Sequence, residues 1–247
     1  MNLIKTGVPG LDELLKGGLK KNTSVLIEGD PGTGKTIFAL QFILEGAKNN
    51  EPGLYISNEE DINTIKEYAK EIDLNFDVYE KKKLVTFIQQ PLNSRKIMSI
   101  AAPLSLIKQN KIKRVVLDSL TLFKYIHTAG EMDYRKEVLL FLENMHGQGV
   151  TLLATAEARR PDIDNINYNH EDFLFEGLIR ICKIRKGNTY ERCIFINKMR
   201  GQEHSLDIYP ITIGKGGIKI YPNEIPFSLL EQDIVKKHKN RVGFGDK

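Results

Sequence analysis

Ser24-Val25-Leu26-Ile27-Glu28-Gly29-Asp30-Pro31-Gly32-Thr33-Gly34-Lys35-Thr36 is the stretch that decides the fold. A short apolar run, 24–28, is bounded by turn residues and reads as a buried strand. Thr36–Gly46 then carries apolar residues at helical spacing. Between them, GDPGTGKT at 29–36 matches G-x-x-x-x-G-K-[ST] in the strand–loop–helix setting that the motif's mechanism needs. Glycine permits backbone conformations that a Cβ forbids, so the loop can turn its N–H groups inward around a phosphate. The helix that follows adds donors and a partial positive charge. In such a loop a lysine reaches the β- and γ-phosphates and the hydroxyl after it ligates Mg2+. Gly29, Asp30, Pro31, Gly32, Thr33, Gly34, Lys35 and Thr36 are therefore the expected ATP-binding residues, with Thr36 also on the metal.

Working outward, strand-like and helical segments alternate, which predicts a parallel sheet with helices on its faces. Gly53–Ser57, Leu84–Ile88, Arg114–Leu117 and Val150–Thr155 read as strands. Asp61–Glu71, with Asp61 as N-cap, and Tyr134–His146 read as helices, as does Arg95–Gln109, with a break or kink expected at Pro103. From Phe173 the pattern changes to β-rich segments: Phe173–Ile184, Tyr190–Asn197, Asp207–Ile213 and Ile218–Tyr221. These predict antiparallel hairpins added to the parallel sheet. Cys182 and Cys193 flank the turn Lys186-Gly187-Asn188-Thr189 symmetrically, so a hairpin sets them opposite each other, as two buried thiols or as a bridge. Glu157–Glu171 is polar and aperiodic and reads as a surface loop.

A carboxylate that serves Mg2+ belongs at the end of a buried strand. Val115-Val116-Leu117-Asp118 supplies one in Asp118, whose alternative role is a helix N-cap. Hydrolysis also needs a group that orients and activates water. Glu59 and Glu60 follow the strand 53–57, at the carboxyl edge where α/β ligands bind. The alternative for them is a solvated acidic helix start. Glu157 is a further candidate, as a polar γ-phosphate sensor.

At 247 residues the chain has room for one large domain or two small ones, with 41% hydrophobic and 28% charged residues. The net charge of +4 permits an acidic partner without demanding one. No apolar run approaches the roughly 18–20 residues that span a bilayer. The opening MNLIKTGVPG lacks the apolar region of a secretory signal, so the expectation is a cytoplasmic protein with no membrane partner. Two cysteines make no disulfide framework.

Together these motifs resemble the RecA superfamily and, within it, the KaiC-like ATPases, most closely the single-domain archaeal members. Thr6-Gly7-Val8-Pro9-Gly10-Leu11-Asp12-Glu13-Leu14-Leu15 with Gly17-Gly18 is similar to a KaiC/RadA-type opening motif, and Ser57-Asn58-Glu59-Glu60 to the family's paired catalytic glutamates. Lys198-Met199-Arg200-Gly201 with His204 resembles a K-[LM]-R-G-x-x-H segment whose basic residues reach the γ-phosphate held by the neighbouring subunit. Lys198, Arg200 and His204 thereby join Lys35, Glu59 and Glu60 as expected catalytic residues. Residues Ile211–Lys215 match a stretch that packs near the neighbour's adenine. The resemblance implies a RecA-like α/β core over residues 1–225, mostly parallel with C-terminal antiparallel strands, and a basic tail over 226–247. It implies ATP and Mg2+ as cofactors, and self-association into a ring, commonly a hexamer, with nucleotide in the clefts between subunits.

Three functions compete. The leading one is slow ATP hydrolysis by a ring that acts as a signalling or assembly module, with a protein partner not specified by the sequence. The second is a RadA-type ATPase driven by DNA. The corresponding loops, near His127–Asp133 and Glu157–Glu171, hold Arg159 and Arg160 but also Asp162, Asp164 and Glu171, and only Tyr168 offers a strong stacking surface. The cations at Lys236–Arg241 can contact phosphates non-specifically. The third is a nucleotide-gated scaffold with negligible turnover. Two-domain clock proteins carry a Ser-Thr autophosphorylation pair where this chain reads His170-Glu171-Asp172-Phe173, without a hydroxyl. Phosphopeptide mapping after long incubation with MgATP is expected to find no phosphate on residues 165–180, and stoichiometric phosphate there refutes this reading.

Overall fold

The computed structural model describes residues 2–90, 101–120, 131–158, 168 and 171–230. In chain order the elements are β1 (Leu3–Ile4), α1 (Leu11–Leu14), β2 (Leu19–Lys20), β3 (Ser24–Gly29), α2 (Lys35–Lys48), β4 (Gly53–Ser57), α3 (Ile62–Glu71), α4 (Asp77–Lys81) and β5 (Val85–Gln89). There follow α5 (Ala101–Gln109), β6 (Arg114–Asp118), α6 (Glu131–Gly147), β7 (Thr151–Glu157), a 3-10 turn (Glu171–Phe173), β8 (Gly177–Lys186), β9 (Thr189–Met199), β10 (Tyr209–Gly214) and β11 (Gly217–Ile220).

Nine strands form one sheet in the order β11-β10-β9-β8-β3-β7-β6-β4-β5, while β1 and β2 pair separately. Every pair from β8 through β3 to β5 is parallel, and β8-β9, β9-β10 and β10-β11 are antiparallel. The expected architecture, a mostly parallel sheet with antiparallel C-terminal strands, is the observed one. Strand alternation divides the core into two layers. Val25, Ile27, Tyr55 and Val116 face α2 and α3, whereas Leu26, Leu54, Ile56, Val115 and Leu117 face α5 and α6.

The sequence pattern missed the two-residue strands β1 and β2 and the short α1 and α4, which are too brief to show a period. The strand expected from Phe173 begins instead at Gly177. The preceding residues turn, with Leu174 N donating to Glu171 O, and the Asp172 carboxylate takes a bond from Arg180 Nη2 at 3.2 Å. Within its described residues α5 runs unbroken through Pro103. The start expected at Arg95, most of the two loops weighed for DNA and the cations at 236–241 lie outside the described residues. Cys182 and Cys193 do face each other in the β8–β9 ladder, as free, buried thiols. Burial pushes the Cys182 thiol up to about 12 and raises Cys193 as well. Residues 227–229 are held to the hairpin: Glu191 accepts from Phe227 N, Ser228 N and Ser228 Oγ, and Leu229 packs on the cysteine cluster.

Two polar side chains pin the layers together. Gln41 on α2 donates to Gly7 O, Gly216 O and Ile218 O and accepts from Ile218 N, which joins the opening motif and the β10–β11 hairpin to one helix. Arg114 is only 1% exposed. Its guanidinium meets Glu51 at 2.7 and 2.9 Å and donates to Lys5 O and Phe42 O. Gly46 makes room for it, since a Cβ there would lie 2.5 Å from Arg114 Cδ. Removing this buried cation leaves Glu51 with Lys21 alone, at 3.5 Å, and takes a donor from two carbonyls. Arg114→Ala is expected to destabilise the fold by about 3 kcal/mol in urea unfolding, and a loss below about 1 kcal/mol contradicts that weight.

Candidate functional site

The loop 29–34 joins the carboxyl end of β3 to α2. Gly34 caps that helix at φ 109, a left-handed conformation for which glycine is suited. The Lys35 ammonium is drawn back over the loop, donating to Gly29 O at 2.9 Å and Asp30 O at 3.0 Å. Burial lowers its pKa, opposed by the surrounding charges of Glu157, Asp118, Glu59 and Asp30. A second cation, Lys183 of β8, donates to Pro31 O at 3.0 Å.

In the sheet β7 separates β3 from β6, and β4 lies on the far side of β6. The ends of β6 and β4 therefore arrive beside the loop. Asp118 Oδ2 accepts from Thr36 Oγ1 at 2.9 Å and from Tyr55 Oη at 2.5 Å, and Oδ1 accepts from Thr155 Oγ1. The carboxylate that could have capped a helix faces the loop instead. Glu59 and Glu60 precede α3, whose N-cap is Asp61, bonded to Asn63 N and Thr64 N at 2.9 and 3.2 Å. The two glutamates thus lie outside the first turn of that helix. Glu59 Oε1 accepts from Ser119 Oγ, and Asn58 Nδ2 donates to Ser119 O at 3.1 Å. Partial burial, then Asp118, then Glu59 raise the Glu60 pKa.

Beside the loop opens a cleft of 580 Å³. Gly34, Lys35, Thr36 and Glu60 line one part, and Tyr68, Ile72, Arg192 and Ile213 another. The first set offers N–H groups, an ammonium and a hydroxyl, which suit phosphates; the second offers apolar and planar surface, which suits a base. Ile213 stands against this chain's own loop, since a Cβ on Gly34 would come 2.8 Å from Ile213 Cδ1.

Lys198, Arg200 and His204 are not in this cleft. Lys198 pairs with Leu178, itself level with Leu26, and Arg200 N bonds Glu176 O, whose residue is level with Ser24. Three residues of strand separate the Lys198 level from Gly29 and five separate the Arg200 level, roughly 10 and 17 Å. The two heads share one side, as their spacing predicts: Lys198 Nζ donates to Phe175 O and Arg200 Nη2 to Phe173 O, each at 2.8 Å. Burial, then Arg200, lower the Lys198 pKa, opposed by Asp172 and Glu176. His204 Nδ1 lies 2.9 Å from Ser205 O.

The family profile described as "ATPase: KaiC" matches residues 4–225, nearly the whole described chain. The chain belongs to the KaiC ATPase family. It is 30% identical over 238 residues to a UPF0273 protein of Thermotoga maritima, covering 90% of this chain and 96% of that one. It is also 30% identical over 229 residues to the circadian clock oscillator protein KaiC of Parasynechococcus marenigrum, covering 89% of this chain but 44% of that one. The crystal structure of a KaiC-like protein from Pyrococcus horikoshii superposes with a TM-score of 0.77 at 33% identity, covering 89% of this chain and 99% of that one. This KaiC-family chain thus carries an ATPase-type nucleotide-binding domain on a RecA-like fold. Among the described residues no helix is long and apolar enough to cross a membrane.

Tyr55, Thr155, Ser119, Lys183 and Arg192 complete the site without having been singled out in the sequence. An aromatic inside a strand reads as core, and cations on a hairpin read as a solvated face. The raised Glu60 pKa has a consequence for stability. The folded chain holds that proton more tightly than the unfolded one, so stability falls as pH rises from the ordinary value of 4.5 through the raised one. In thermal melts, Glu60→Gln is expected to stabilise the nucleotide-free protein at pH 8 and to leave it unchanged at pH 4; equal effects at both contradict the assignment.

Proposed function

We propose that this protein binds MgATP in the cleft and hydrolyses it slowly, within a ring of identical chains in which each site is completed by its neighbour. The observation that carries the proposal is the placing of Lys198 about 10 Å and Arg200 about 17 Å along the sheet from their own loop. Cations so placed serve phosphoryl chemistry only on another chain's nucleotide. A cyclic arrangement satisfies such a heterologous contact without growing into a filament. The RecA-like unit is assigned to residues 1–225 and the tail to 226–247.

Gly29 to Thr36 wrap the phosphates, and Lys35 exchanges the carbonyls of Gly29 and Asp30 for phosphate oxygens. The donor set fits Mg2+. Thr36 and Asp118 converge as one hydroxyl and one carboxylate, and no cluster of three His, Cys, Asp or Glu is present among the described residues. Mg2+ keeps several waters and takes few protein oxygens beside substrate phosphates, unlike ions held in all-protein cages. When bound, it neutralises charge on the β- and γ-oxygens. Glu60, with its raised proton affinity, suits a general base, and Glu59, held by Ser119, orients beside it. From the neighbour, Arg200 and Lys198 stabilise charge on the departing phosphoryl group, with His204 beside them.

This ATPase serves as a signalling or assembly module located in the cytoplasm. Steady-state MgATP hydrolysis with and without saturating single-stranded DNA at low salt tests that part. A slow rate indifferent to DNA is expected; strong stimulation by DNA makes the protein a DNA-driven ATPase instead. Lys35→Ala is expected to weaken ATP binding by about two orders of magnitude. Arg200→Ala spares binding and lowers turnover about 10²–10³-fold. Mixing the two variants restores part of the activity, and no rescue despite demonstrated subunit exchange contradicts the shared site.

A further inference from the structure

Asp118 takes O–H bonds from three elements: α2 through Thr36, β7 through Thr155 and β4 through Tyr55. Thr36 belongs to the phosphate loop. Tyr55 does not, and its ring alone would serve the core. It is fully buried and packs 5.4 Å from Phe87, between strand neighbours Leu54 and Ile56 that are plain aliphatics. A phenylalanine would fill that place. A buried hydroxyl is costly unless it is bonded, and this one is committed to the carboxylate oxygen that Thr36 also uses.

We propose that Tyr55 is a positioning residue for the magnesium site, setting the orientation of the Asp118 carboxylate from the β4 side so that Thr36 and Asp118 meet the cation together. The proposal rests on the reading of Asp118 as the metal-side carboxylate. Thr36 has a single proton, and giving it to Oδ2 leaves its oxygen lone pairs for a cation. With bonds to Oδ2 from two sides and to Oδ1 from Thr155, the carboxylate is restrained against rotation about its Cβ–Cγ bond. Toward the carboxylate the phenol donates, so it restrains Oδ2 through its one proton. Partners that orient a metal ligand in this way carry about 10–100-fold in metal affinity.

The test is binding of a fluorescent ATP analogue to the full-length protein, titrated with Mg2+, for the wild type and for Tyr55→Phe, Asp118→Asn and Phe87→Leu. Tyr55→Phe keeps the ring and is expected to bind the analogue like wild type without Mg2+. The Mg2+ concentration for half-maximal tightening rises about ten-fold or more. Phe87→Leu disturbs the same packing without touching the carboxylate and is expected to leave the Mg2+ dependence unchanged. An unaltered Mg2+ dependence in Tyr55→Phe, with a shift in Asp118→Asn, overturns the role of Tyr55 alone. An equal shift in Phe87→Leu also overturns it, by assigning the effect to packing. No shift in Asp118→Asn overturns the reading of the metal site itself, and this inference with it.

Discussion

The carboxylate of Asp118 sits half-buried where β6, β4, β7 and α2 meet, and a carboxylate drawn out of water needs its oxygens bonded. Three hydroxyls supply those bonds, each from a different element, and the sheet order makes this possible. With β6 between β4 and β7, and β3 one strand further, the ends of all four strands reach the same edge. The glycine loop, the glutamates and the aspartate then gather at one edge of the sheet, although they are spread over some ninety residues of chain from Gly29 to Asp118. Shift any of these strands by one residue and its side chains change faces, which would remove Tyr55 or Thr155 from the carboxylate.

The antiparallel strands carry charge from one edge of the sheet to the other. β8 rises beside β3 to the level of the phosphate loop, where Lys183 touches Pro31, and turns through Gly187 and Asn188. β9 then descends to the opposite edge and delivers Lys198 and Arg200 to the carbonyls of Phe175 and Phe173. The 3-10 turn before β8 is tied back to the loop strand. Asp172 holds Arg180, and Arg180 Nε donates to Glu28 at 2.9 Å, one residue before Gly29. The arrangement separates a cation pair from its own phosphate site while packing both on one rigid sheet. The proposed sharing of the site between chains rests on that separation.

Much of this was legible in the sequence because it is local. The apolar run 24–28, the glycines after it and the helical spacing beyond Thr36 each have one ready reading. Asp118 and the glutamates follow from where buried strands end, and the Cys182–Cys193 register follows from a two-residue turn. Glu59, Glu60 and Asp61 show the limit: adjacent acids at the head of a helix, of which the structure makes Asp61 the cap, puts Glu60 in the cleft and holds Glu59 on Ser119. Tyr55 was hidden because its hydroxyl matters only through a partner sixty-three residues away. The start of β8 was misplaced because the competing bonds of Asp172 and the Glu171 carbonyl are tertiary or turn bonds without a periodic signature. Lys183 and Arg192 were hidden because a charged hairpin seldom points at anything.

The most direct test of the shared site is an electron cryo-microscopy structure of the assembled protein with Mg2+ and a non-hydrolysable ATP analogue. The expected result is the analogue's phosphates on Lys35 of one chain, with the Arg200 guanidinium of the adjacent chain within hydrogen-bonding distance of the γ-phosphate. A nucleotide enclosed by one chain alone, with Lys198 and Arg200 turned away from every phosphate, would contradict it.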